Sequence, residues 1–228
     1  MIGIIGAMKI EVEAIRAKTE NKETRVVGSI EFVSGTLNGV EIVSAVCGIG
    51  KTAAAMCTEA MIVVYKPDII INTGVGGTLT NELSVCDVAV ADCVCQHDYD
   101  LTPIGEEPGF VPAVNMVKIP CDPRAVKIIS ECMENDGVKI KTGPIASGDQ
   151  FIAGREAKDR IVGTFGAIAC EMEGASIGQV CRVNNVPFAV VRAISDCADG
   201  EASMTYTDFL PKAADAAARM IESAVTKL

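Results

Sequence analysis

The sequence predicts an α/β fold, and three observations carry that prediction. Buried-strand runs of apolar and β-branched residues alternate with segments of helical spacing along the 228 residues. Within residues 166 to 199, an apolar run at 167 to 170, a helical pattern through Ala175, Ile177, Val180 and Cys181, and a second run at 187 to 194 read as strand, helix, strand. Asn38-Gly39, set between alternating runs, marks a two-residue hairpin, so antiparallel strands accompany the crossover units.

Residues 2 to 5 form a short buried strand, and Gly6-Ala7-Met8 turns it into a helix with Glu11 and Glu13 in its first turns. Alternating runs from 25 to 46 are broken at Gly28, Gly35 and Asn38-Gly39. Gly48-Ile49-Gly50-Lys51-Thr52 then opens a helix at 53 to 65 and has the look of a phosphate-binding loop, with Asp92 as a metal-binding strand end; against it, Ala45 stands where that pattern begins with Gly. The strand at 69 to 73 leads into Gly74-Val75-Gly76-Gly77, either a tight turn or a place where a ligand approaches the backbone.

A strand at 87 to 91 precedes Gln96-His97-Asp98 and a Pro/Gly-rich loop at 102 to 112, long enough for a binding wall or lid. A helix at 123 to 134 and a strand at 138 to 146 come next, the strand ending at Ser147-Gly148-Asp149-Gln150-Phe151-Ile152. The chain closes with a helix at 206 to 228 whose stripe of Phe209, Leu210, Ala213, Ala217, Met220 and Ala224 faces the core.

Composition bounds the function. A chain of 23.8 kDa suits one α/β domain spanning residues 1–228 with a sizeable core. Mean hydropathy is +0.33, yet no apolar run approaches the ~18 residues that span a bilayer, so no membrane partner is expected. The opening MIGIIGAM lacks a basic region and meets Glu11 and Glu13 at once, which reads as a first strand rather than a signal peptide. With 20 basic against 30 acidic residues the net charge is -10, and nucleic acid is not an expected partner. Ten cysteines are scattered and His97 is the single histidine, so no zinc spacing exists and neither metal nor cofactor is expected. Cysteine used as core filler suits a reducing compartment and a cytoplasmic location.

Acidic residues end several strands. If the strands at 167 to 170 and 187 to 194 are parallel neighbours, Glu173 and Asp196 share one sheet edge, where α/β sheets bind ligands. The structural alternative is local: Glu11 and Glu173 offset helix dipoles, and Ser195 or Asp196 caps the segment after the strand.

GAMKIEVE, CGIGK, INTGVGG, SGDQFI, EMEGASIGQVC and VVRAISD, in this order across nearly the whole chain, resemble the 5′-methylthioadenosine/S-adenosylhomocysteine nucleosidase family. The resemblance implies a nucleoside-phosphorylase-like fold, a central twisted mixed β-sheet flanked by helices. It also implies hydrolysis of the N-glycosidic bond of 5′-methylthioadenosine and S-adenosylhomocysteine, as in methionine salvage, with 5′-deoxyadenosine a further candidate substrate. By motif, Glu11 matches the water-activating base, Asp196 the acid beside the purine, and Glu173 the acid that binds ribose. Phe151, Ile152 and Met172 match pocket residues, Gly77 lies in the glycine turn, and Ser195 stands beside the acid. Met8, Ile104, Arg192 and Phe209 complete the candidate set. A homodimer is implied, with the 102 to 112 loop reaching a neighbour's pocket.

That chemistry needs these residue types. Adenine leaves as a neutral base only if an acid protonates N7. As the bond breaks, C1′ gains oxocarbenium character, and a carboxylate on the opposite face can deprotonate water. An ionised Glu173 can accept hydrogen bonds from both ribose hydroxyls. Arg192 either holds a carboxylate or forms a structural ion pair. The rivals are a same-fold nucleosidase acting on futalosine, a phosphorylase acting on purine nucleosides, and a non-catalytic nucleoside-binding protein. A phosphorylase needs Arg for phosphate, and the turns GAMKIEVE and TGVGGT offer none.

Overall fold

A computed structural model of the chain describes residues 1–132, 138–198 and 202–228, with the side chains of all but 202–205. The first strand, β1 (Ile2–Gly6), is wholly buried and runs into α1 (Lys9–Lys18). Three antiparallel strands come next, β2 (Glu20–Val27), β3 (Ile30–Leu37) and β4 (Val40–Val46), the last two joined at Asn38-Gly39, where both residues take positive φ as the tight hairpin requires. Helix α2 (Lys51–Tyr65) leads to β5 (Ile69–Thr78) and β6 (Val88–Gln96). After a 3-10 turn at Thr102–Ile104 come β7 (Ile119–Pro120), α3 (Pro123–Glu131), β8 (Ile140–Ser147) and α4 (Arg155–Phe165). Strand β9 (Ala169–Glu171), α5 (Gly174–Val183), β10 (Phe188–Asp196) and α6 (Ala202–Ala224) complete the order.

The strands form one mixed sheet in the order β10-β6-β8-β9-β5-β1-β4-β3-β2, and β10 pairs again with β5. That extra pairing closes β5, β10, β6, β8 and β9 into a ring, from which β1, β4, β3 and β2 extend as an open sheet. Both β5 and β10 therefore have strand neighbours on either side while staying dry, which is why their sequences are almost continuously apolar.

Several expectations change. The strands at 167 to 170 and 187 to 194 are not parallel neighbours: β9 pairs antiparallel with β5, whereas β10 pairs parallel with it. The acids still meet, because β9 enters from the far end of β5. Cys170 lies opposite Gly77 from one side and Asp196 opposite the same Gly77 from the other. The Gly74 to Gly77 segment is not a tight turn but the last part of β5. Gly76 admits a close neighbour, since a Cβ there would lie 2.8 Å from the Cys170 carbonyl oxygen. Helix α4 carries no strong sequence signal and was not among the expected elements. Of the helix expected at 123 to 134, residues 133 and 134 lie outside the described residues, as does residue 199 of the central stretch.

The core lies on both faces of the sheet. Ala213, Ala217, Met220 and Ala224 of α6 are buried against it as their spacing predicts, while Phe209 and Leu210 are only half-buried. Small residues dominate that stripe, so the helix sits close to β5 and β10 and Met220, fully buried, fills the remaining gap. Met220→Ala should therefore lower unfolding stability by about 2 to 5 kcal/mol, read as a shift of the urea midpoint with unchanged slope.

Candidate active site

Glycines and carboxylates fit together where β1, β5, β9 and β10 end. Glu11 sits at the third position of α1 and accepts from Met8 N at 2.8 Å, the return bond of a capping box. Its other oxygen leaves the helix and accepts from Val75 N at 3.0 Å. Gly74 makes room, since a Cβ there would lie 2.5 Å from Glu11 Oε1. Helix capping is thus half of what Glu11 does; the carboxylate also bridges two strand ends. Burial raises its pKa above the usual carboxyl value, opposed by Arg192 and by the backbone donors.

The two acids of Glu171-Met172-Glu173 divide their work. Glu171 starts α5: its Oε2 accepts from Glu173 N at 3.0 Å and Gly174 N at 2.8 Å, and it also pairs with Ser147 Oγ and with the Arg192 guanidinium. Glu173 occupies the N-cap position, but its side chain makes no bond to its own helix. Its Oε1 instead accepts from Gly50 N, across the cavity at the start of α2, at 2.8 Å. Burial, then the Glu171 carboxylate, push the Glu173 pKa up to about 7 against Arg192 and the Gly50 amide.

Arg192 is the buried cation beneath these acids. Besides Glu171 it meets Asn72 Oδ1 at 2.5 Å and Val191 O at 2.9 Å, and Glu173 Oε2 lies 3.7 Å away. Burial disfavours its charge, but Glu171, Glu173 and Glu11 outweigh that and hold it protonated. Asp196, 2% exposed, accepts from Ser195 Oγ and from Ala198 N, both at 2.9 Å.

These groups line a cavity of about 330 Å³. Glu11, Glu171, Glu173, Asp196, Ser195 and Gln150 are among its polar lining residues, Gly77 also lines it, and Met8, Phe151, Ile152 and Met172 stand in its walls. Three expected residues fall outside it. Arg192 lies behind the acids, its two terminal nitrogens bonded to Glu171, Asn72 and the Val191 carbonyl. Ile104 is 76% exposed in the 3-10 turn. Phe209 is half-buried on α6 with Lys212 over its ring; one turn earlier Tyr206 takes the wall position, edge-on to Phe151 at 5.5 Å between ring centroids and with its hydroxyl 3.3 Å from Met8 Sδ. Tyr206 and Glu171 are not among the sequence candidates, and Gly50 and Ser147 enter there only within a phosphate-loop pattern and a strand end. The one available signal was the second acid of Glu171-Met172-Glu173, since one carboxylate suffices to start a helix.

The phosphate-loop reading of Gly48 to Thr52 fails on the same geometry. The Gly50 and Lys51 amides are taken by carboxylates, Glu173 and Asp149, and Lys51 Nζ is paired with Asp98. Among the described residues no group of His, Cys, Asp and Glu is arranged to hold a metal ion.

A dry-walled cavity at the strand ends of a mixed sheet, with acids at several points, defines an α/β protein of the phosphorylase superfamily, whose family model matches residues 1–226. Relatives narrow this. A 5′-methylthioadenosine/S-adenosylhomocysteine nucleosidase of Staphylococcus aureus (strain MRSA252) is 42% identical over 229 aligned positions, covering 100% of both chains. The crystal structure of the Neisseria meningitidis nucleosidase of that name, in complex with methylthio-immucillin-A, superposes with a TM-score of 0.96 at 34% identity, over 100% of this chain and 99% of that one. The futalosine hydrolase of Helicobacter pylori strain 26695 superposes with a TM-score of 0.95 at 36% identity, over 100% and 97%. The chain belongs to the 5′-methylthioadenosine/S-adenosylhomocysteine nucleosidase family.

Glu173 makes stability depend on pH. Its folded pKa of about 7 exceeds the ordinary 4.5, so its contribution to the folded state is fully present below pH 4.5 and is lost as pH rises through 7. Glu173→Gln should flatten that fall, worth up to roughly 3 kcal/mol, in urea unfolding measured between pH 4.5 and 8. A wild-type slope retained by the variant would assign the effect to another group.

Proposed function

We propose that this protein hydrolyses the N-glycosidic bond of 5′-methylthioadenosine and S-adenosylhomocysteine, releasing adenine and the 5′-thio-substituted ribose, as methionine salvage requires. 5′-Deoxyadenosine is a further substrate on the same reading. The observation that carries the proposal is the set of buried acids Glu11, Glu173 and Asp196, beside a fourth, Glu171, that is taken up by Arg192 and the start of α5, around one cavity whose described lining residues include no Lys or Arg. A phosphate nucleophile would be repelled there, whereas water would not.

In this reading Asp196, steadied by Ser195, donates a proton to adenine N7, so that the base leaves neutral. Glu11 orients water and takes its proton as C1′ becomes cationic; burial, by raising its pKa, makes it a better base. Glu173 accepts from the ribose hydroxyls, and those bonds strengthen as positive charge develops on the sugar. Phe151, Ile152 and Met172 enclose base and sugar, Gly77 lets the base approach the backbone, and Met8 flanks the sugar.

A second reading, futalosine hydrolysis, is favoured by the 36% identity to the Helicobacter pylori futalosine hydrolase. A nucleoside panel separates them. Adenine should be released from 5′-methylthioadenosine without phosphate, and Glu11→Gln and Asp196→Asn should each lose at least ~10²-fold in kcat while keeping the fold. Release from futalosine alone, or near-wild-type turnover in either folded variant, would overturn the assignment it tests.

The proposal includes a homodimer in which the 102 to 112 loop completes a neighbour's pocket. Ile104 in that loop, and Ile49, Met56 and Val63 at the start and along α2, are large apolar side chains that are more than half exposed in one chain, a surface suited to a second copy. A cytoplasmic location is part of the same reading: the ten cysteines are free thiols, as a reducing compartment keeps them, and no described helix is long and apolar enough to cross a membrane. Light scattering at assay concentration should give twice the chain mass, and an active monomer would overturn the dimer.

A further inference from the structure

The wall that carries Phe151 and Ile152 is hydrogen-bonded to the rest of the molecule at one residue, while Ile152 packs into a core cluster with Ile161 and Phe165. Asp149 donates its N–H to Asp98 Oδ2 at 2.8 Å and accepts at Oδ1 from Lys51 N at 2.7 Å. Among the described residues, all hydrogen bonds of segment 149–153 are made by Asp149. Phe151 is 49% exposed, and its ring contact is the edge-on one with Tyr206.

Asp98 and Lys51 close the arrangement. Lys51 Nζ pairs with Asp98 Oδ1 at 2.5 Å and donates to Gln96 Oε1 at 3.1 Å, and Gln96 Nε2 continues to Gln179 Oε1 on α5 at 2.7 Å. Both charged side chains are less than one-fifth exposed, so solvent screens this pair less than a surface pair. One residue before Lys51, the Gly50 amide holds Glu173. Gly50 has φ of 100°, and a Cβ there would lie 2.9 Å from Asp149 Oδ1, so the glycine serves both the turn and the close approach of the carboxylate. None of Lys51, Gln96, Asp98 or Asp149 lines the cavity.

We propose that Lys51, Asp98 and Asp149 form a positioning latch that keeps the wall of Phe151 and Ile152 in register with Glu173, setting substrate affinity without touching substrate. The start of α2 is the shared anchor: two successive amides hold the sugar-side acid and the base-side wall. This accounts for the Gly-Lys-Thr stretch, whose amides grip carboxylates where a phosphate loop grips phosphate. The substrate named in the test rests on the nucleosidase reading; the latch itself rests on the geometry.

The latch is tested in the full-length protein with Lys51→Met, Asp98→Ala, Asp149→Ala and Asp149→Asn, measuring kcat and KM for adenine release from 5′-methylthioadenosine alongside the urea midpoint. KM should rise about tenfold or more in the first three with kcat changed less than about threefold. Asp149→Asn, which keeps an oxygen acceptor for Lys51 N–H, should recover most of the affinity. Lys51→Met with Asp98→Ala should be little worse than either alone, as expected of one connected network. Folded variants with wild-type KM and only a lowered midpoint would overturn the latch and leave the cluster a support for α2. If Asp149→Ala does not fold, Lys51→Met and Asp98→Ala decide by the same criterion. Should the wild type release no adenine, the nucleosidase reading falls separately, and calorimetric titration of adenine into the same variants reads the latch: an unchanged Kd would overturn it.

Discussion

One buried cation governs the centre of this molecule. Arg192 is 1% exposed and lies among Glu11, Glu171 and Glu173, with its remaining bonds to Asn72 and the Val191 carbonyl. Asn72 in turn donates to the Ile5 carbonyl at 2.9 Å, so the guanidinium connects β10, β5 and β1 through side chains as well as backbone. Three carboxylates facing one positive charge cannot all ionise cheaply in a dry site, and burial first, then the Glu171 carboxylate, raises the pKa of Glu173. Lysine would not serve in its place, because a single ammonium cannot reach Glu171 and Asn72 in the plane that the guanidinium fork supplies.

Around that charge, helix starts and glycines set the positions. Glu171 takes over the capping of α5 and frees Glu173 to point into the cavity. Gly74 gives Glu11 its place beside β5. At Gly77, where a Cβ would meet Asp196 Oδ1 at 2.8 Å, the strand and the acid come as near as backbone and side chain can. The acids are therefore held by amides and small residues rather than by long flexible partners, so little reorganisation is needed when charge develops in a bound ligand.

Much of this was readable in the chain and some was not. The apolar runs, the Asn38-Gly39 hairpin and the closing helix come from local spacing, which the backbone obeys wherever one face is buried. The acids at 11, 173 and 196 stood out by their place just past buried strands, where helix capping explains them equally well, and the family resemblance singled them out as site candidates. The direction of β9 was not, because three residues have no periodicity and the connection through α5 leads to a strand that β9 does not touch. Nor was the exchange of Phe209 for Tyr206, since both lie on one helix and its angle to the cavity is a tertiary fact. The work of Glu171 was hidden by its neighbour: from sequence the two acids look interchangeable, and only their partners distinguish them.

The ring formed by β5, β10, β6, β8 and β9 also bears on how copies of this chain avoid one another. A strand order that returns on itself leaves no ladder of unpaired amides at that end, so the long open margin among the described residues is β2. That strand reads ENKETRVV, exposed over nearly its whole length and charged at Glu20, Lys22, Glu23 and Arg25. Intruding strands would have to bury those charges, while the apolar residues of the inner strands are buried in the core on both faces of the sheet. In a chain this rich in Val, Ile and Ala, closure at one end and charge at the other are what keep strand pairing an internal affair.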